Sequence, residues 1–222
     1  MQSDFANVHI FDCDGVILNS NMLKLSALRL SFESIDAPLN FIDWAVDEFR
    51  TNFGRTRINH FEIFYKHAKL KGFNLTEKIM SKALLYYSDQ VVRLYKDCEV
   101  IEETRSFIEN LSSDCFIFVV SASDQSELRS LLPVKLTKIH SEYIYGGPAS
   151  KEENIKTVLE ITKSKKIFFY GDSVQDAKAA INTNIHFLGL KKYSADQKAL
   201  KKFCSLNNLD CYEDLSKVTF HE

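Results

Sequence analysis

Three short apolar runs punctuate the 222-residue chain at wide intervals, and each stops abruptly on polar residues. Val8, Ile10 and Phe11 lead into Asp12, CFIFVVS at 115–121 ends on Ser121, and KIFFYGD at 166–172 ends on Asp172. Continuous apolar runs of this length suit strands buried on both faces of a parallel sheet. Helical patterns separate them. Ile155, Val158, Leu159 and Thr162 recur at helical spacing after Lys151, and DAKAAI, beginning at Asp176, carries three alanines ahead of the strand-like IHFLGL. The alternation predicts βα units. In open sheets of that kind ligands bind beyond the carboxyl ends of the strands, so the three polar ends are expected to meet in one site.

Residues from about 20 to 96 are patterned differently. Leu25, Leu28, Phe32 and Ile35 make one helical stripe, Phe41, Trp44, Ala45 and Phe49 a second, and Ile58, Phe61, Tyr65 and Ala68 a third. Asn74 followed by Glu77 predicts the start of a fourth helix carrying Ile79, Ala83, Leu84, Tyr87 and Val91. No strand pattern interrupts this block, and no linker rich in Pro, Gly or Ser marks its edges. The expected organisation is an α/β parallel-sheet core with a helical insert.

Composition narrows the function classes. An apolar fraction of 45% with 26% charged residues fits an ordinary globular protein, and the length allows a core domain plus a smaller one. A net charge of -2 provides no overall basic field for nucleic acid or an anionic membrane, so neither is an expected partner. Five scattered cysteines without a C-x-x-C pair argue against a disulfide framework and against zinc. Reduced thiols point to the cytoplasm. The opening residues are polar and no apolar stretch approaches the roughly 18 residues that span a bilayer, so neither a signal peptide nor a membrane helix is expected. A monomer or homodimer is expected.

The chemistry concentrates where the strands end. FDCDG places Asp12 and Asp14 two residues apart before a glycine, which is either a turn or a pair of gathered ligands. Two or three carboxylates at strand ends suit a hard divalent cation, whose charge relieves their mutual repulsion. Asp176 has two readings as well: a helix N-terminal charge, or part of the acidic site. Cys13 points to the opposite face from Asp12 and Asp14 by strand alternation.

FDCDG, VVSAS at 119–123, GGPASKEEN at 146–154 and YGDSVQD at 170–176 resemble, in order and spacing, the four signatures of the haloacid dehalogenase (HAD) superfamily of phosphotransferases. The resemblance covers the whole chain, in the branch of phosphoglycolate phosphatases and beta-phosphoglucomutases. It implies a Rossmann-like core formed by residues 1–18 and 97–222, with residues 19–96 inserted as an α-helical cap. It implies Mg²⁺ held by Asp12, Asp14 through its backbone carbonyl, and Asp172. Asp12 is then the nucleophile that forms an aspartyl phosphate. Asp14 is the general acid and base. Ser121, Ala122 and Lys151 hold the phosphoryl group. Asp176 supports the metal or Lys151, and Ser173 orders its loop. In the cap, NFGRTRINH with Gly54 resembles the loop that reaches over the site, where Arg55 and Arg57 either grip a carboxylate or sugar hydroxyls of the leaving group or are solvated helix-end charges, while His60 and His67 are expected at the surface.

An acid at position 14 matches the phosphatases and phosphomutases of that family. Asn19 and Val16 depart from its commonest pattern, and Asn19 leaves a substrate contact open there. The expected activity is hydrolysis of a small phosphorylated metabolite, a sugar phosphate or a phosphoglycolate-like acid. A phosphomutase and a catalytically silent binding protein of the same fold are the alternatives. A phospho-aspartate receiver domain fits poorly, because its phosphorylated Asp ends a middle strand of a much shorter domain.

Overall fold

The computed structural model describes residues 7–163 and 166–218. Six strands form one parallel sheet in the order β3-β2-β1-β4-β5-β6. They are β1 (Val8–Phe11), β2 (Phe116–Asp124), β3 (Ile144–Gly147), β4 (Ile167–Gly171), β5 (His186–Leu190) and β6 (Asp210–Tyr212). The chain starts in the middle of the sheet, and β1 is flanked by β2 on one side and β4 on the other. Strand order reverses there, which opens a crevice at the strand ends. Pairing of Phe11 with Val119 and Tyr170 brings the tips of β2, β1 and β4 side by side.

The three apolar runs are these three central strands. Alternation divides their side chains between two apolar clusters. Val8, Ile10, Phe118, Val120 and Phe169 pack with α7 (Lys151–Thr162), α8 (Val174–Thr183) and α9 (Gln197–Leu206). Phe11, Val119 and Tyr170 pack on the other face, towards α5 (Glu102–Asn110) and α6 (Gln125–Lys135). The edge strands β3 and β6 were not expected. They are four and three residues long, too short to show a period.

Between β1 and α5 lie four consecutive helices: α1 (Asn21–Glu33), α2 (Leu39–Thr51), α3 (Arg57–Lys71) and α4 (Glu77–Asp97). The expected stripes of α1, α2 and α4 face inwards: Leu25, Leu28, Phe32, Phe41, Ala45, Phe49, Ala83, Tyr87 and Val91 are buried. The phase of α3 differs from expectation. Ile58 is 52% exposed, and His60, Phe61, Phe64 and Ala68 form the buried stripe instead. Helix α4 starts at a Thr76 cap, whose side chain accepts from the Ile79 N–H, rather than at Asn74. No helix among the described residues is long and apolar enough to cross a membrane. All five cysteines are free thiols.

Candidate active site

The D-x-D-G turn departs from the end of β1, where the Asp12 N–H donates to the Tyr170 carbonyl at 2.9 Å. Gly15 then turns with φ +76°, a conformation that side chains disfavour. Its second constraint is space: a Cβ there would fall on Asp172 Oδ2 and Asn21 Nδ2. The glycine therefore lets the β1 turn, the β4 turn and the first residue of α1 approach closely. Gly15 donates its N–H to Leu18, and Leu18 donates to Cys13, which curls the segment back towards the sheet. Cys13 is fully buried in apolar surroundings, and burial first, then the Asp14 and Asp12 charges, push its thiol pKa up. A thiol kept protonated in such surroundings is a poor nucleophile.

Asp12, Asp172 and Asp176 are all buried, with a carboxylate oxygen of each within 4.8 Å of the others. Lys151, the first residue of α7, lies 3.0 Å from Asp12 Oδ1 and also pairs with Asp176. Burial works against its charge, but Asp12 and Asp176 outweigh that effect and raise its pKa, so it stays protonated. Asp12 is pushed up from the ordinary carboxylate range, by burial first and by Asp176 and Asp14 next, with Lys151 opposing. Asp172 is raised for the same first reason, and its Oδ1 has no hydrogen-bond partner among the described residues. Its other oxygen accepts from Asn21 Nδ2 at 2.6 Å. Crowded buried carboxylates with an unpartnered oxygen are what a hard divalent cation would relieve, so this donor set fits Mg²⁺. Asp12 and Asp172 are the side chains available for it.

Asp176 lies both at a helix N-terminus and in the acidic cluster. It is the third residue of α8 and completes a capping box with Ser173, accepting from the Ser173 N–H at 3.0 Å while its own N–H donates to Ser173 Oγ. The same carboxylate grips Lys151. Ser173 and Asp176 are thereby hydrogen-bonded to each other at the turn that follows β4.

Asp14 is held more tightly than its expected proton-transfer role suggests. Oδ1 accepts from Ser20 at 2.6 Å and Tyr95 at 2.9 Å, and Oδ2 accepts from Lys24 at 2.6 Å and Ser123 at 2.8 Å. Burial would raise its pKa, yet Lys24 and the donated hydrogen bonds outweigh it and lower it. Lys24 comes from α1 and Tyr95 from α4, so the helical block reaches directly onto this carboxylate.

A narrow, partly open cavity of about 30 Å³ lies between the sheet tips and the helices. Its wall includes Asp12, Asp14, Lys24, Ser121, Ala122 and Lys151 on one side. Gly54, Arg55, Arg57 and His60 close it from the other. Gly54, at φ +96°, presses on the β4 loop, where a Cβ would come within 2.8 Å of Ser173 Oγ. The two arginines already have partners: Arg55 pairs with Glu48 at 3.3 Å, and Arg57 makes a two-pronged pair with Glu127 of α6 at 3.0 and 2.9 Å.

Two expectations need correction and one is redirected. His60 is 1% exposed rather than at the surface, because it lies on the buried stripe of α3, beside Phe49. His67 is half-buried, stacked on Trp44 with ring centroids 3.4 Å apart. Asn19 is exposed and faces away beside Glu99, whereas Asn21 touches Asp172. Asn21, Lys24, Tyr95 and Ser123 were not anticipated, since three of them lie on helices whose apolar stripes drew the reading. For Lys24 a signal existed: a lysine on the inward side of an amphipathic pattern.

The family model of haloacid dehalogenase-like hydrolases matches residues 9–190. The chain belongs to that family. Solved structures with the same fold include a protein described as a predicted phosphoglycolate phosphatase from Haemophilus somnus. It is 15% identical, with 97% of each chain covered and a TM-score of 0.75. CbbY from Rhodobacter sphaeroides, solved in complex with phosphate, is 12% identical, with 96% of each chain covered and a TM-score of 0.72. A predicted phosphatase from Clostridium acetobutylicum is 19% identical over 95% of each chain, with a TM-score of 0.68. No curated protein matches the sequence.

Proposed function

We propose that the protein is a Mg²⁺-dependent phosphatase of small phosphorylated metabolites, sugar phosphates or phosphoglycolate-like acids, working through an aspartyl phosphate. The observation that carries this reading is the placement of Asp12: a buried carboxylate at a strand tip, 3.0 Å from Lys151, in one cavity with Ser121 and Ala122 and beside Asp172. Asp12 attacks phosphorus, which splits one displacement into two easier ones. Lys151 and Ser121, with backbone N–H groups near Ala122, balance the phosphoryl oxygens. Mg²⁺ bound by Asp12, Asp172 and the Asp14 carbonyl would neutralise charge on the transferring group. Asp14, held ionised, is suited to take a proton from the water that releases phosphate. Protonating the leaving alcohol requires Asp14 first to take up a proton from solvent, which its ion pair with Lys24 opposes, so the pair seen here belongs to the resting site.

Residues 19–96 serve as the cap over a core of residues 1–18 and 97–222, of which 1–6, 164–165 and 219–222 lie outside the described residues. The cavity holds roughly two waters, too little for a metabolite. Substrate therefore binds with the cap displaced, and closure excludes bulk water. A narrow site that closes over its substrate also suits the second reading, a phosphomutase, in which the phosphoryl group returns to a sugar phosphate. Inorganic phosphate release from a panel of phosphorylated metabolites decides between them. Release should require Mg²⁺, stop with chelator and vanish in Asp12→Asn. Equal release with chelator present contradicts the metal, and a fully active Asp12→Asn contradicts the nucleophile.

A further inference from the structure

The cap also contributes a buried histidine for which the scheme above has no use. His60 stands in the first turn of α3, packed against Phe49 at 4.2 Å between ring centroids and against Phe64 at 5.9 Å. It is 1% exposed and lines the same cavity as Asp12 and Lys151. Neither Nδ1 nor Nε2 has a hydrogen-bond partner among the described residues. Buried ring nitrogens without partners are uncommon enough to require an explanation, and here the atoms belong to a residue on the wall of the reaction chamber. Burial first, then Arg55 and Lys24, lower its pKa to about 3, so the ring is neutral and offers one donor and one acceptor.

The cations around the cavity are matched differently. Lys24 pairs with Asp14, Arg55 with Glu48, Arg57 with Glu127, and Lys151 with Asp12 and Asp176. In the resting site a leaving group carrying a second carboxylate or phosphate would have to compete with Asp14, Glu48 or Glu127 for its counter-charge. A hydroxyl would not, because a neutral imidazole both donates to it and accepts from it.

We infer that His60 is a specificity residue that hydrogen-bonds a hydroxyl on the leaving group, which directs the site to monophosphates of hydroxylated carbon compounds, polyols or sugars, over phosphorylated acids. The inference rests on the reading of Asp12 as a phosphatase nucleophile, and it selects between the two substrate classes which that reading leaves open.

Three alkyl phosphates of equal length test it: 2-hydroxyethyl phosphate, ethyl phosphate and phosphoglycolate, with para-nitrophenyl phosphate reporting the Asp12 chemistry independently of any leaving-group hydroxyl. In the Mg²⁺-loaded wild-type protein, kcat/KM for 2-hydroxyethyl phosphate should exceed that for each of the other two by about 100-fold, the upper end of what one unsatisfied buried hydrogen-bonding group costs. His60→Phe, which keeps an aromatic ring in the same packing, should bring the hydroxyethyl-to-ethyl ratio close to one, chiefly through KM. His60→Gln should restore part of it. Equal kcat/KM for the hydroxyethyl and ethyl esters in the wild type overturns the inference, as does a ratio unchanged in His60→Phe or a wild-type preference for phosphoglycolate. Should His60→Phe fail to fold, the wild-type ratios and His60→Gln decide. Failure of the wild type to hydrolyse para-nitrophenyl phosphate is a separate result, which removes the phosphatase reading and this inference with it.

Discussion

Asp14 and His60 are buried polar side chains on opposite walls of one cavity, satisfied in opposite ways. Asp14 accepts from four donors and is held ionised, whereas neither ring nitrogen of His60 has a hydrogen-bond partner among the described residues and the ring is held neutral. The difference has a thermodynamic consequence. His60 titrates near its ordinary value of about 6.5 in the unfolded chain but at about 3 in the folded one. Between those values the unfolded chain binds the extra proton, so the contribution is complete above the unfolded pKa and declines as pH falls towards the folded one. At pH 5 the loss relative to pH 7 is about 2 kcal/mol, from roughly 1.5 pH units at 1.36 kcal/mol each. Denaturant unfolding at both pH values should show His60→Phe losing less stability on acidification than the wild type, by about that amount. The same loss in both proteins would contradict a neutral buried ring. The comparison between variants is needed because the raised carboxylates Asp12 and Asp172 respond in the opposite direction: their folded state takes up protons more readily as pH falls.

Helix α3 packs on the other inserted helices along its apolar stripe and meets the sheet side of the molecule through its N-terminal end. Gly54 lies against the Ser173 loop, Thr56 caps the helix, and Arg57 reaches Glu127 in the first turn of α6. The Arg57–Glu127 pair joins the inserted helices to an element that packs on the sheet. Both side chains are under one-fifth exposed, and the guanidinium also stands over the Tyr87 ring at 5.6 Å. A two-pronged, half-desolvated pair is stronger than the usual surface pair. A double-mutant cycle with Arg57→Met and Glu127→Gln should give a coupling of about 1–2 kcal/mol in stability. The single variants should also show faster hydrogen exchange across α3. A coupling near zero would mean that α3 is positioned by its apolar stripe alone.

At the scale of the molecule, what was legible in the sequence followed from physical periodicity. The central strands showed because burial on both faces makes them continuously apolar, and their polar ends showed because a parallel sheet brings its carboxyl tips together. The edge strands β3 and β6 were not legible: each is at most four residues long. Helix α3 was placed correctly but rotated wrongly, since Ile58 was counted as core and a histidine was not, although His60 packs as an aromatic ring. The residues that hold Asp14 were missed for a related reason. Lys24 and Tyr95 come from helices 10 and 81 positions along the chain, and only the folded insert brings them to β1. The account's central claim is that Asp12 is the group that accepts the phosphoryl from substrate. Acid quenching of the Mg²⁺-loaded protein during turnover, followed by mass spectrometry of its peptides, tests it most directly. The account predicts a phosphoryl adduct on the peptide containing Asp12, absent in Asp12→Asn. A turning-over enzyme that never carries the adduct there, or carries it on another residue, would contradict it.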